Sequence, residues 1–279
     1  MTSILIIGCS STLASALGPV LKGTCQVTYA GRSNGKIHTD LLTDSALPLE
    51  RFDVVVHSAA DFGGHTIADM KRAEQANAVG MLRVCELASA VQAKHLIVIS
   101  SSSAGLKNSD PGITIYAISK RHGDELAQFY CSNKNIPLTI LRPSQLYDAK
   151  SNCRKHQPMF YSMIDKAERG EDIPLFGSHD AVRNFVYLDD FCEVICRVIE
   201  RRIHGQFYVT SSPCTLTQIA NTAYLEFGKG GKVVFQQHKA DIPDLPYFDS
   251  EDLYDKIGYR PQTSLSVGIA MIKNWRQCE

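Results

Sequence analysis

The chain has 279 residues, 44% of them hydrophobic and 21% charged, with a formal net charge of zero. That length suits one large domain, or a large domain with a smaller lobe. Balanced charge argues against a bulk electrostatic grip on nucleic acid, and no apolar run is long enough to span a bilayer, so neither nucleic acid nor a membrane is an expected partner.

The start, "MTSILIIGCSS", has no basic n-region and turns polar at once, so it reads as a first strand and not as a targeting segment. Gly8 follows this strand directly, then a polar turn, then the helical pattern "TLASALGPVL". A dinucleotide site needs this context, a tight turn whose backbone N–H groups at a helix N-terminus face a pyrophosphate. Where a G-x-x-G-x-x-G turn would put its second and third glycines, the chain has Ser11 and Ala14, both small. The candidate cofactor residues here are Gly8, Ser10, Ser11, Thr12 and Leu13. Taken alone, an ordinary turn explains the stretch as well.

The second strand, "QVTYA", runs into "GRSNGK". An NAD site generally places an acidic residue at this point to hold the ribose 2′-hydroxyl. The chain instead has Arg32 and Lys36 and no acid before Asp40. A guanidinium forks onto phosphate oxygens, so NADP(H) is expected in preference to NAD(H), with a solvated surface Arg32 as the alternative.

"FDVVVHSA", "KHLIVISS" and "PLTILRPS" are further strand candidates, nearly continuous in apolar character, as strands buried on both faces of a parallel sheet are. Between them lie "ADMKRAEQANAVGMLRVCELASAVQ" and "IYAISKRHGDELAQFY", each with apolar residues at helical spacing. This alternation predicts an α/β fold with a doubly wound parallel sheet. After about residue 146 the rhythm breaks at the polar "DAKSNCRKHQ", resumes over "NFVYLDDFCEVICRVIERR" and "GQFYVTS", and gives way to a compact helical tail. Residues 1–146 and about 186–210 are therefore expected to form the main sheet domain. Residues 147–185 and 211–279 are expected to form a smaller C-terminal α+β lobe. The nine cysteines are scattered singly with no C-x-x-C pair. Cys192 and Cys196 have helical spacing on an apolar face and read as core packing, so reduced thiols, a cytoplasmic setting and no metal are expected.

Tyr116 and Lys120 stand one helical turn apart, but Tyr130 and Lys134 share the spacing, so spacing alone decides nothing. The first pair follows "HLIVISSSSAG" by a short loop and opens a helix, at the carboxyl edge of the sheet where ligands bind. The second falls at the far end of the same helix. A phenol with its pKa of about 10 is a poor base at neutral pH. An ammonium one turn away stabilises the phenolate, and a serine hydroxyl from Ser100–Ser103 can hold the reacting oxygen in line. Such a group can relay a proton while a nicotinamide takes or gives hydride.

Gly8 after the first strand, "VVVHSAA", "NAVGMLRVCELA", "VISSSSAG", "YAISK", "LRPSQLYD" and "LFGSHDAVRNFVYLDD" occur in one order over nearly the whole chain. In this the chain resembles an extended short-chain dehydrogenase/reductase, the branch containing nucleotide-sugar epimerases, dehydratases and reductases. The resemblance implies a Rossmann domain with a substrate-binding lobe, and typically a homodimer through the two long helices of the sheet domain. It implies Tyr116 as acid/base, Lys120 as the cation that lowers its pKa and binds the nicotinamide ribose, and Ser102 as the orienting hydroxyl, with Ser101 and Ser103 as alternatives. Asp40 and Leu41 would lie near the adenine, and His57, Ser58, Ala59 and Ala60 along the pyrophosphate and ribose. Ser100, Pro143 and Ser144 would lie near the nicotinamide, and Asn77 would support the site from a buried helix. Ser103, Gln145 and Arg183 would meet the substrate, Arg183 by gripping a diphosphate, with a salt bridge to Asp189 or Asp190 as its alternative.

The leading functional expectation is an NADP(H)-dependent reductase of a keto group on a nucleotide-activated sugar, because a phosphate-preferring site goes with a reductant that comes and goes. The alternative is an epimerase or dehydratase of the same substrate class using NAD(H) or NADP(H). A dehydratase needs an extra acid and base that "SSSSAG" does not offer. The complete Tyr, Lys and Ser set speaks against a non-catalytic cofactor sensor.

Overall fold

The computed structural model describes residues 1–33, 35–43 and 50–278. The elements run β1 (Thr2–Ile7), α1 (Thr12–Lys22), β2 (Cys25–Gly31), β3 (Ile37–His38), β4 (Val54–His57), α2 (Ile67–Glu74), α3 (Gly80–Ala90), β5 (His95–Ile99), α4 (Ile115–Lys134) and β6 (Leu138–Pro143). They continue with β7 (Gln145–Tyr147), α5 (Pro158–Arg169), β8 (Ile173–Phe176), β9 (Val182–Tyr187), α6 (Leu188–Arg201) and β10 (Gly205–Val209). The last are β11 (Pro213–Thr215), α7 (Leu216–Phe227), β12 (Val233–Gln236), α8 (Glu251–Ile257) and α9 (Leu265–Cys278). They divide between two compact units, the first Met1–Pro143, Cys192–Val209 and Ser250–Tyr259, the second Ser144–Phe191, Thr210–Asp249 and Arg260–Glu279.

The first unit holds a seven-stranded sheet in the order β10-β6-β5-β4-β1-β2-β3, with every neighbouring pair parallel. Val54–His57 and His95–Ile99 are buried along their whole length, which is why these strands read as unbroken apolar runs. Their side chains pack against Met81, Val84 and Leu87 of α3 and Ala127 and Cys131 of α4. Strand order reverses between β1 and β4, so the carboxyl ends of these two strands form the switch point at which open α/β sheets bind ligands.

Two expectations need correction here. The segment 68–92, read as one helical pattern, is mainly α2 and α3 joined by a π-helical turn, Gln75–Val79. A π turn adds one residue to the helix, moving the buried face from Ala73 to Ala78, and such turns are frequent at functional sites. The turn carries Asn77 and brings its carbonyl against α4 at Gly123, where a Cβ would lie 2.2 Å from the Asn77 oxygen. Residues 250–259, expected in the smaller lobe, belong to the first unit. Leu253, Tyr254 and Ile257 of α8 are buried there, with α8 packed on β10.

The second unit contains a sheet in the order β11-β9-β7, a parallel β12-β8 pair, and α5, α7 and α9 packed on one another. An aromatic cluster forms its core, with Phe160 4.6 Å from Phe185 and 5.0 Å from Tyr147 between ring centroids. All nine cysteines are free thiols, with Cys192 buried and Cys196 half-buried in α6. Among the described residues no helix is long and apolar enough to cross a membrane, and no group of residues could hold a metal ion.

Candidate active site

At the end of β1 the chain turns sharply. Gly8 has φ +97°, and a Cβ on it would lie 2.6 Å from the Ala59 nitrogen, so only glycine fits. Its N–H donates to the Ala30 carbonyl at 3.0 Å. Ser11 caps α1, its Oγ accepting from Ala14 N at 3.0 Å and pairing with Ser58 Oγ at 2.9 Å. The Ser11 hydroxyl thus ties the α1 turn to the β4 loop. The first-turn N–H groups of Thr12 and Leu13 have no acceptor within the helix, and Ser10 is exposed beside them. Close packing of the helix on β2 is demanded one turn beyond Ala14. A Cβ at Gly18 would lie 1.5 Å from Tyr29 Oη. Gly8, the capped turn and the open first-turn amides fit the diphosphate of a dinucleotide.

The residues expected around the adenine end are more scattered. Arg32 follows β2 directly and is exposed. The Lys36 ammonium stands 3.8 Å from Glu50 in an exposed ion pair. Asp40 lies beyond β3, where its Oδ1 accepts the Leu42 N–H at 3.0 Å, and Leu41 packs towards Gly80 of α3. These two are therefore engaged in their own turn and in helix packing.

The catalytic face is built on α4, which Thr114 caps through Ala117 N at 3.2 Å. Tyr116, Lys120 and Asp124 fall at successive turns of one face. Ser101 lies near enough to the Tyr116 phenol to pull its pKa down, and Ser101 Oγ lies 2.9 Å from Ser103 Oγ. Of the serines expected to orient the substrate, Ser101 is the one that acts on the phenol. Ser102 opens a short 3-10 turn, Ser102–Gly105, for which Ser101 is the cap, and that turn decides which serine faces α4. Ser100, expected near the cofactor, is buried and donates to Asp124 Oδ2 at 2.8 Å instead. Tyr130 lies at the far end of the helix, packed against the core.

Lys120 is buried and its Nζ donates to the Ile99 carbonyl at 2.7 Å. Burial lowers its pKa to about 8, with Asp124 pulling it back up. Beside it, His57 at the end of β4 is held neutral, its pKa lowered to about 3 by burial and then by the Lys120 charge. The expected lowering of the Tyr116 phenol is not found. Burial raises it, the Ser101 hydrogen bond opposes this, and Asp124 adds to the rise, while the ammonium is turned to the Ile99 carbonyl.

Asp124 was not anticipated from the sequence. It is 1% exposed, and its Oδ2 also accepts from Arg142 Nε at 2.9 Å and Nη2 at 2.8 Å. Burial pushes this carboxyl up, against the pull of Arg142 and Lys120. Repetition of the four-residue spacing from Tyr116 through Lys120 was the available signal. Asn77 is buried as expected, and its Nδ2 donates to Asp61 O at 2.7 Å and Ser119 Oγ at 2.9 Å. Pro143 is buried at the end of β6, paired with Val209. Ser58 and Ala59 meet the Gly8 turn, and Ala60 is exposed just beyond.

In the second unit, Ser144 Oγ donates to Asn184 Oδ1 at 2.6 Å. Gln145 Nε2 donates to Gln157 Oε1 at 2.7 Å, while Gln145 Oε1 is buried without a partner. Arg183 is 7% exposed, and its Nη1 donates to the carbonyls of Val182 at 2.7 Å and Pro243 at 2.8 Å. Its nearby acid is Asp244, not Asp189 or Asp190, and Asp190 accepts the Thr263 N–H.

Residues 4–209 match the NAD dependent epimerase/dehydratase family. A probable UDP-glucuronate 4-epimerase of Rhizobium meliloti (strain 1021) is 26% identical over 284 residues, covering 88% of this chain and 82% of the relative. In fold, the chain is similar to a mutant of UDP-glucuronic acid 4-epimerase from Bacillus cereus, solved with UDP-4-deoxy-4-fluoro-glucuronic acid and NAD. That likeness has a TM-score of 0.81 at 20% identity over 99% of both chains. It is similar also to RMD from Pseudomonas aeruginosa complexed with NADPH, with a TM-score of 0.77 at 17% identity over 100% of both. The family match spans the turn at Gly8, the Tyr116–Lys120 pair and the strands that carry them. The chain is an enzyme of the extended short-chain dehydrogenase/reductase type and belongs to the NAD dependent epimerase/dehydratase family.

Proposed function

We propose that this enzyme epimerises a nucleotide-activated sugar at a carbinol carbon, using a nicotinamide dinucleotide at the carboxyl edge of its parallel sheet. The observation that carries the proposal is the placement of Tyr116 and buried Lys120 one turn apart at the start of α4, with Ser101 beside the phenol. Keto-sugar reduction, the leading expectation from the sequence, has less support, because the relative and the structural neighbour described as UDP-sugar 4-epimerases favour its alternative. Dehydration would require a further acid and base beside the serines, and Ser101–Gly105 offers hydroxyls only.

When bound, an oxidised nicotinamide accepts a hydride and brings a positive charge that favours the phenolate. The chain's own residues do the rest. Tyr116 Oη takes the sugar hydroxyl proton and later returns it, Ser101 holds the reacting oxygen, and Lys120 supplies the cation beneath. Gly8 and the first-turn amides of Thr12 and Leu13 hold the diphosphate of the cofactor, with Ser10, Ser58, Ala59 and Ala60 beside it. In the second unit, Arg183 is the proposed grip on the substrate diphosphate, its guanidinium plane fixed by two carbonyls, and Gln145 is a proposed sugar contact. A homodimer formed through α3 and α4, where Leu82 and Phe129 are exposed, fits the same reading. The test is incubation with UDP-glucuronate or UDP-glucose and catalytic NAD or NADP. Interconversion of C4 epimers without net change in reduced-nicotinamide absorbance is expected; stoichiometric NADPH consumption on 4-keto nucleotide sugars, with no epimer formed, would make the enzyme a reductase.

One observation favours NADP(H) as the preferred cofactor: exposed Arg32 stands at the end of β2, where an NAD site has its acid. A charge-assisted contact to a 2′-phosphate contributes about 1.5–3 kcal/mol, so Arg32→Ala should weaken NADP binding roughly 10- to 100-fold and leave NAD unchanged. Calorimetric titration of both cofactors measures this. An unchanged ratio removes Arg32 from the site.

A further inference from the structure

Phe62 stands in the loop after β4, 47% exposed, and its ring lies parallel on Tyr116 with centroids 4.6 Å apart and planes 14° apart. A large apolar side chain so exposed is ordinarily tolerated at random, but this one is held in place from both sides. Asp61 N–H donates to Asn77 Oδ1 at 2.9 Å, the Asp61 carbonyl accepts from Asn77 Nδ2 at 2.7 Å, and its carboxylate accepts from Gly63 N at 2.7 Å and Arg72 Nε at 2.8 Å. Gly63 has φ +68°, and a Cβ on it would lie 2.6 Å from Ile115 Cγ2. On the α4 side, Asn77 Nδ2 also donates to Ser119 Oγ, whose hydroxyl donates to the Tyr116 carbonyl at 3.1 Å. One chain of hydrogen bonds thus sets the backbones of both rings against each other.

We propose that Phe62 is a positioning residue for Tyr116: its ring covers one face of the phenol, fixes the plane of that ring and keeps water from it. The inference rests on Tyr116 being the acid/base, and it deepens that reading. Covering a face adds to the burial that raises the phenol of this half-buried residue. Offset and parallel aromatic pairs contribute beyond their buried area, which makes the ring and not its bulk the relevant feature.

The experiment compares wild type, Phe62→Ala and Phe62→Tyr. The loop is held by Asp61 and Gly63 and not by the ring, so both variants fold. Nitration of the cofactor-free protein by tetranitromethane, resolved by peptide, should rise roughly tenfold at Tyr116 in F62A and stay near wild type in F62Y. Buried Tyr147 and Tyr161 are the internal control. In turnover, kcat should fall about tenfold in F62A with cofactor affinity unchanged, and F62Y should restore it. Unchanged nitration of Tyr116, or increased nitration with unchanged kcat, overturns the proposal. Should the wild type epimerise no nucleotide sugar, the function proposed above fails, and the nitration result still decides whether Phe62 shields the phenol.

Discussion

Tyr116→Phe is expected to lower kcat about a thousandfold, within the range that a positioned acid/base contributes. The substitution removes one oxygen and leaves the ring stacked on Phe62. It also removes a polar group beside Ser101, a stability change of about 1 kcal/mol. Cofactor affinity should therefore hold within a few-fold while turnover collapses. Lys120 cannot substitute for the phenol, because its ammonium is directed at the Ile99 carbonyl. Steady-state kinetics with a parallel thermal melt reads both quantities. A loss of less than about tenfold would place the proton transfer elsewhere.

Asp124→Asn is expected to act on stability and on pH dependence together. The variant leaves the Arg142 guanidinium, 7% exposed, beside a neutral amide. Breaking a buried pair from one side costs about 3–5 kcal/mol, which lowers Tm by roughly 10 °C in a chain of this size. The pH effect follows from Lys120, whose pKa of about 8 is held up by Asp124 against burial. Removing the negative neighbour disfavours the ammonium, so its pKa falls. If the cation is required, activity is present below that pKa and lost above it. The alkaline limb of kcat/KM should then lie near pH 8 in the wild type and at lower pH in the variant. A limb that stays in place, with the stability loss present, would reduce Asp124 to a structural partner of Arg142.

Much of the sheet was legible because parallel strands covered on both faces leave unbroken apolar runs, as at Ile4–Ile7, Val54–His57 and His95–Ile99. The short edge strand β3, and β7, β8, β9 and β11 in the second unit, carry no such run. The π turn was hidden because the buried Ala73 and Ala78 stand five residues apart, a one-residue departure from helical spacing that the sequence does not mark. At the site, Tyr116 and Lys120 were legible from position and chemistry. The choice among four consecutive serines was not, since it depends on a one-residue cap opening a 3-10 turn. The pKa of the phenol was misjudged for a related reason. Sequence spacing places the ammonium one turn away but does not say that a carbonyl holds it. Phe62 was invisible because a loop fixed by Asp61 and Gly63 brings it over α4, and no periodicity records that.

On the proposed function, a carbinol is oxidised and re-reduced at the same carbon beside Tyr116. The most direct measurement is turnover of a UDP-sugar carrying deuterium at C4, with the product analysed by NMR and mass spectrometry. Retention of the deuterium at C4 in the epimer, with no net accumulation of reduced cofactor and turnover about a thousandfold slower in Tyr116→Phe, is the predicted result. Loss of the label to solvent, or undiminished epimerisation without the phenol, would contradict it.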